Sequence, residues 1–104
     1  MRKKYKKSGY STKLAEEYIE KSNAIHSIST ELEEQYKYED NKRTDEISGY
    51  KAWFSQKDLP PFAVKFEKKI DLPEYLSIVT IENLQAIEVN YNVYFKADDI
   101  KVIK

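Results

Sequence analysis

The feature that most constrains this fold is the strict alternation of apolar and polar side chains over residues 86–96. One parity of this run is apolar and the other is mostly polar: Ile87, Val89, Tyr91, Val93 and Phe95 alternate with Glu88, Asn90, Asn92, Tyr94 and Lys96. Successive side chains of a β-strand point to opposite faces of the sheet, whereas a helix repeats every 3.6 residues. The run therefore predicts one strand with a buried face.

Residues 28–38, 50–56 and 62–66 alternate in the same way and predict three further strands, and the nearly continuous apolar run 76–81 predicts a fourth, central one. A short closing strand is expected at 100–103. Pro60 and Pro61 cannot donate ladder hydrogen bonds and should separate the second run from the third. Polar residues 39–49, ending in Ser48-Gly49, are expected to connect two antiparallel strands. Glu34 interrupts the parity of the first run and predicts a bulge there. A helix over residues 30–37 remains an alternative, because that segment holds good helix formers.

One helix is expected before the strands, over about residues 12–22. Ser11 or Thr12 can cap it, and its apolar positions share one face: Leu14, Ala15, Tyr18 and Ile19. Residues 11–104 then form a single domain, since 104 residues are too few to divide into two cores. The predicted fold is mainly β with one N-terminal helix (α+β), arranged as a small five-stranded antiparallel barrel of the OB type.

Charge is unevenly distributed although the net charge is zero. Six of the 18 basic residues lie in the first thirteen positions, with no acid among them, which leaves 12 basic against 18 acidic residues in the rest. Residues 1–10 are therefore predicted to be a basic arm on an acidic body. Such an arm can contact phosphate groups, or it can act as a solubilising tail, and the sequence leaves both interpretations open.

Catalytic and cofactor sites are not expected. The chain has no cysteine, one histidine (His26) and two glycines, which excludes thiolate chemistry, the usual zinc sites and glycine-rich nucleotide loops. Pairs of neighbouring carboxylates such as Asp98-Asp99 are more typical of solvated charge than of a hydrolase. With neither an apolar signal region nor a membrane-spanning run, a soluble, cytoplasmic, non-enzymatic protein is predicted.

Aromatic residues interleaved with lysines give the candidate site. Lys51, Trp53 and Lys57 share the outward parity of the 50–56 strand, and a tryptophan beside lysines suits the stacking of unpaired bases. Tyr36, Tyr38 and Lys65 are expected on the neighbouring strands, and Arg2, Lys3 and Lys4 of the basic arm would add phosphate contacts. In the alternative arrangement, Trp53 packs under the helix and the tyrosines line the core.

Three segments carry a resemblance to a known family. They are the run Asp40-Asn-Lys-Arg-Thr-Asp-Glu-Ile-Ser-Gly-Tyr-Lys, the proline-interrupted strand after it, and residues 84–101, which end in Val93-Tyr-Phe-Lys-Ala-Asp-Asp-Ile-Lys. From about residue 41 onward the chain resembles the YdcP-like small proteins of Gram-positive conjugative elements and plasmids. The resemblance implies a β-barrel and an accessory role in element replication, by engaging single-stranded DNA or the unwinding helicase.

Two functions follow as hypotheses. In the first, the protein is an accessory replication or mobilisation protein of a mobile element that binds single-stranded DNA without sequence preference and without catalysis. In the second, it is a protein-interaction adaptor or host-modulating factor, for example a helicase binder, and makes no contact with nucleic acid.

Overall fold

A computed structural model describes residues 9–104, and in these residues strands predominate over a single short helix. The elements in chain order are α1 (Thr12–Tyr18), β1 (Ile25–Ser27), β2 (Glu33–Glu39), β3 (Lys42–Gln56), β4 (Phe62–Phe66), β5 (Ile78–Glu82), β6 (Gln85–Val89), β7 (Asn92–Ala97) and β8 (Asp99–Val102). The prediction of a mainly β fold with one N-terminal helix is confirmed. The strand at 33–39 also decides against a helix over residues 30–37.

Helix α1 begins as predicted but ends early. The hydroxyl oxygen of Ser11 accepts a hydrogen bond from the Leu14 amide at 3.2 Å, which caps the first turn. Ile19 already has extended backbone angles, so the predicted end at residue 22 is wrong. The cause is a contact with the sheet, made by the buried side-chain amide of Gln56. Its oxygen accepts a hydrogen bond from the Glu20 backbone amide, and its nitrogen donates to the backbone carbonyls of Glu20 and Asn23. These bonds give the chain partners outside the helix.

All eight strands belong to one mixed sheet. Its order is β6-β7-β4-β3-β1-β5-β8, with β2 paired to β3 beside this path. The β4–β7 pair is parallel, and the other pairs are antiparallel. Within residues 9–104 the path does not return to its first strand, so the five-stranded antiparallel barrel is not confirmed.

Residues 78–102 form one long, bent hairpin. The prediction of a single strand over residues 86–96 is wrong, because Asn90, with φ of 57°, and the fully exposed Tyr91 make a turn between β6 and β7. A two-residue turn reverses the chain and places Ala86 opposite Phe95, so these two are buried together while Val89 is exposed. Asn90 falls on a polar position of the alternating pattern. The pattern therefore continues through the turn and does not reveal it.

The bend in this hairpin lies at its middle. Glu82 pairs with Asp99 on one side of the bend, and Gln85 pairs with Lys96 on the other. The pairing register is therefore the same in both halves of the hairpin. Between them Asn83 has φ of 55°, and the Asp98 amide donates to the Glu82 carbonyl at 3.0 Å. The base of the hairpin therefore joins β1 through β5, while its tip joins β4 through β7.

Strand β3 is twice as long as predicted, because most of the segment expected to connect strands at 39–49 is itself strand. Its first half pairs with β2 in an exposed hairpin whose turn residues, Asp40 and Asn41, have φ of 51° and 64°. Its second half pairs with β1 and with β4. Of the predicted strand at 28–38, residues 28–32 belong to no strand and separate β1 from β2. The bulge predicted at Glu34 corresponds to register shifts just after it, beside Gln35 and Tyr36.

The core lies on one face of the sheet and is closed by α1. The predicted inward residues of β3 and β4 are buried: Ala52, Phe54, Phe62, Val64 and Phe66. Ala15 and Ile19 join them from the helix side, and Tyr18 meets Phe95 edge-on. The residues between them, which include Lys51, Trp53 and Lys65, therefore occupy the opposite face, which we call the outer face.

Candidate nucleic-acid interface

Trp53 lies on the outer face, partly exposed, at the interruption between β1 and β2. Its backbone amide donates to the Ser29 hydroxyl at 2.7 Å, and its carbonyl accepts from the Ile28 amide at 3.0 Å. Its indole Nε1–H donates to the Glu33 carboxylate at 2.9 Å. The alternative in which Trp53 packs under the helix is not observed, since α1 packs over β6.

Three lysines form a row beside Trp53. Lys51 of β3 pairs directly with Lys65 of β4, and Lys65 pairs directly with Lys96 of β7. Neighbouring strands are about 4.8 Å apart, so the three lysine side chains leave the sheet side by side on one face. Like charges opposite one another are unfavourable unless an anion lies between them. We call Lys51, Lys65 and Lys96 the lysine row.

The neighbours of the lysine row compensate its charge only in part. The Lys51 Nζ lies 3.6 Å from the Glu33 carboxylate and 5.4 Å from the centre of the Trp53 ring. The Lys96 Nζ lies 4.7 Å from the centre of the Tyr10 ring. Within residues 9–104, Lys65 and Lys96 form no ion pair with a carboxylate. An external anion would supply the missing charge.

A pocket of about 480 Å³ adjoins the row, and three of its lining residues are lysines and two are acids. It is lined by Tyr10, Ser48, Lys65, Glu67, Lys68, Gln85, Lys96, Ala97 and Asp98. Partial burial, and then the nearby Tyr94, raise the pKa of the Tyr10 phenol. Tyr10 is also the last residue of the predicted basic arm, residues 1–10.

Gly49 makes room for the lysine row. A Cβ at this position would lie 2.8 Å from both the Lys65 Cε and the Phe66 carbonyl oxygen. Real Cβ atoms do not approach other atoms so closely, so only glycine fits beneath the extended Lys65 side chain without a shift. The glycine predicted as part of a turn thus has a packing role within β3.

The other predicted site residues are not all gathered here. Tyr36 lies on β2, where its hydroxyl donates to Glu34 at 2.8 Å, a bond that is the main cause of its raised pKa. Tyr38 is exposed further along the hairpin, and Lys57 follows β3, about 20 Å from Lys51 at the rise of an extended strand. The predicted contacts Arg2, Lys3 and Lys4 lie outside the described residues.

The contributions of Tyr10 and Lys96 were missed from the sequence. Lys96 falls on the polar parity of its strand, as predicted. Its neighbour in the sheet, Lys65, is 31 residues away in the sequence. Only the parallel β4–β7 pairing brings them together, and an alternating pattern carries no information about which strands pair.

A second cavity, a cleft of about 1350 Å³, opens at the interruption between β1 and β2. Three aromatic residues line it, Trp53, Tyr36 and Tyr50, together with four acids, Glu31, Glu33, Glu34 and Asp71, and one base, Lys69. We call it the acidic cleft. Trp53 thus stands between a basic surface and an acidic one.

Among residues 9–104, no three acidic, histidine or cysteine side chains are grouped closely enough to hold a metal ion. In the same part of the chain, no helix has the length and apolar character needed to span a membrane. Comparison with protein-family models, curated proteins and solved structures found no match.

Proposed function

We propose that the protein binds single-stranded nucleic acid on its outer face, without catalysis and without sequence preference. The observation that carries the proposal is the lysine row, three lysines in register on adjacent strands with a partly exposed tryptophan beside them. Phosphates meet the ammonium groups, and an unpaired base stacks on an aromatic ring. Stacking of this kind contributes about 1–3 kcal/mol per base.

The sequence resemblance gives this proposal its biological setting. It suggests that the nucleic acid is single-stranded DNA, and that the protein assists replication or mobilisation of a mobile element, next to an unwinding helicase. The lysine row supports contact with a polyanion. It gives no information about the type of nucleic acid or the biological process.

Fluorescence anisotropy with a labelled twelve-nucleotide oligothymidine, at low and moderate salt, tests the proposal. We expect binding that weakens steeply as salt increases, and weaker binding to a duplex of the same length. In Lys96→Gln, affinity should fall about three- to tenfold and the salt dependence should become shallower by about one charge. Lys21→Gln is the matched control, because Lys21 is exposed and its ion pair with Glu16 lies beside α1.

Two outcomes would contradict the proposal: no binding of the oligonucleotide even in dilute salt, or equal losses in Lys96→Gln and Lys21→Gln. The first would favour the second candidate, a protein-interaction adaptor or host-modulating factor without nucleic-acid contact. The observation in favour of the adaptor is that the Trp53 indole already bonds Glu33 at the edge of the acidic cleft.

A further inference from the structure

The acidic cleft combines aromatic walls with an excess of carboxylates. Four of its charged lining residues are acids and one is a base. A phosphate backbone would be repelled here, so the nucleic acid proposed for the outer face does not account for this cavity.

The aromatic walls of the cleft already hold cations from the protein itself. The guanidinium of Arg43 lies 4.3 Å from the centre of the Tyr36 ring, and the Lys51 ammonium lies 5.4 Å from that of Trp53. A carboxylate accepts a hydrogen bond from the polar edge of each ring, Glu34 from Tyr36 and Glu33 from Trp53. Orienting a ring in this way fixes the π-face on which a cation rests.

Two of the cleft's carboxylates have no such partner. Within residues 9–104, the Glu31 and Asp71 side chains make no hydrogen bond and no ion pair. The four acids are too dispersed to coordinate one metal ion, again within the described residues. A cavity of about 1350 Å³ also exceeds the usual volume of a small-molecule site, about 300–1000 Å³. The arrangement suits several cations carried on one extended chain.

We propose that the acidic cleft binds an extended segment of a partner protein that carries arginine or lysine side chains. Its cations take the exposed Glu31 and Asp71 as ion-pair partners and lie beside the aromatic walls of the cleft. This inference does not depend on nucleic-acid binding by the lysine row, because its ion-pair partners, Glu31 and Asp71, line a different cavity from Lys65 and Lys96 and have the opposite charge. Trp53 borders both surfaces.

The test uses a blocked octapeptide of alternating glycine and arginine, and a matched peptide with citrulline, the neutral isostere, in place of arginine. Binding is followed by the emission of Trp53, the single tryptophan of the chain. We expect the arginine peptide to change the emission saturably and the citrulline peptide to leave it unchanged.

Three variants locate the site. Asp71→Asn and Glu31→Gln should each weaken arginine-peptide binding by up to about fivefold, as expected for loss of one exposed charge pair. Glu46→Gln is the control, because Glu46 is an exposed carboxylate of β3 that does not line the cleft. Equal binding of the citrulline peptide, or an equal loss in Glu46→Gln, would overturn the inference.

Lys96→Gln separates the two proposals. It should leave the affinity for the arginine peptide unchanged while it weakens oligonucleotide binding, so either surface can fail without the other.

Discussion

Leu76 holds the least favourable backbone conformation for its type of side chain in the described residues. Its φ of 74° lies in the left-handed region, which costs a residue with a Cβ about 1–2 kcal/mol. The Leu76 amide donates to the Ser27 carbonyl at 2.6 Å, which helps to fix that conformation, and the side chain is 54% exposed. The strained backbone conformation is therefore imposed by the connection to β5. Burial of the Leu76 side chain does not offset its energetic cost.

Leu76→Gly should raise the free energy of unfolding by about 0.5–1 kcal/mol, because glycine adopts positive φ without steric cost. Urea denaturation measures the change. Leu76→Ala is the matched control: it also removes the exposed side chain but keeps the Cβ, so it should bring no gain. A glycine variant no more stable than the alanine variant would contradict this account.

Gly49 gives the opposite expectation. Gly49→Ala should lower the free energy of unfolding by about 1–3 kcal/mol, since the new Cβ meets the Phe66 carbonyl, which belongs to the rigid sheet. Gly9→Ala, where a Cβ meets nothing within 4 Å, should change stability by less than about 0.5 kcal/mol. Thermal or urea unfolding of the two variants compares them, and similar losses in both would refute the packing role of Gly49.

The faces on which the side chains of β3 and β4 lie were predictable from the sequence, whereas those of residues 86–96 were not. Alternation alone placed Phe54 inward and Trp53 outward, because adjacent side chains of a strand must point to opposite faces. The partners of Trp53 were not predictable in the same way: its bond to Glu33 depends on where the interrupted strand resumes, which no local pattern fixes.

At the scale of elements, the turns explain most of the errors. Hairpin turns with positive φ are usually marked by glycine, but here Asp40, Asn41 and Asn90 perform this role. Asn and Asp tolerate the left-handed region better than other residues with a Cβ, so the structure is reasonable although the sequence signal is weak. One predicted strand therefore became a hairpin, and one predicted connection became a strand.

Strand β8 begins at a carboxylate whose charged form is stabilised. Asp99 accepts hydrogen bonds from the Ile100 amide at 2.8 Å and from the Lys68 ammonium at 3.2 Å, which lower its pKa below 3.8. The unfolded chain thus takes up this proton first as pH falls. The contribution of Asp99 to stability is present above about pH 4 and is lost as pH falls through the lower folded pKa.

Asp99→Asn should therefore lose less stability between pH 5 and pH 3, roughly the range of carboxyl titration, than the unmodified protein. Urea midpoints at several pH values measure the slope. Asp45→Asn, at an exposed carboxyl of β3, should follow the unmodified protein. If both variants have equally reduced slopes, the specific contacts of Asp99 are not responsible.

At the scale of the whole molecule, one buried side chain joins the helical region to the sheet. The amide of Gln56 makes three hydrogen bonds to the backbone of Glu20 and Asn23, and only 4% of the residue is exposed. Gln56→Leu keeps the volume but leaves those backbone groups without a protein partner. Each such hydrogen bond contributes about 0.5–1.5 kcal/mol net.

We expect Gln56→Leu to lower the free energy of unfolding by at least about 2 kcal/mol. Gln85→Leu is the control, because the Gln85 side chain makes one long hydrogen bond of 3.5 Å to Asn83. Chemical denaturation of both variants provides the measurement, and comparable stabilities would exclude an anchoring role for Gln56.

The topology could not be predicted from the sequence. Mainly β content and a single helix follow from periodicity, but the order β6-β7-β4-β3-β1-β5-β8 depends on which strands meet across long chain separations. The parallel β4–β7 contact is the clearest case, because neither Phe62–Phe66 nor Asn92–Ala97 carries a mark of its partner. The lysine row depends on that contact, so it could not be predicted from the sequence either.

The bent hairpin of residues 78–102 also has a consequence for the order of folding. Its tip closes around a two-residue turn, so pairing can start there and proceed toward the base within about 1–10 μs, the time typical of hairpins. The parallel pair must instead bring Val64 to Phe95 across 31 residues, a slower, non-local search. We expect the hairpin to form before it docks on β4, so the lysine row would be assembled only after the hairpin.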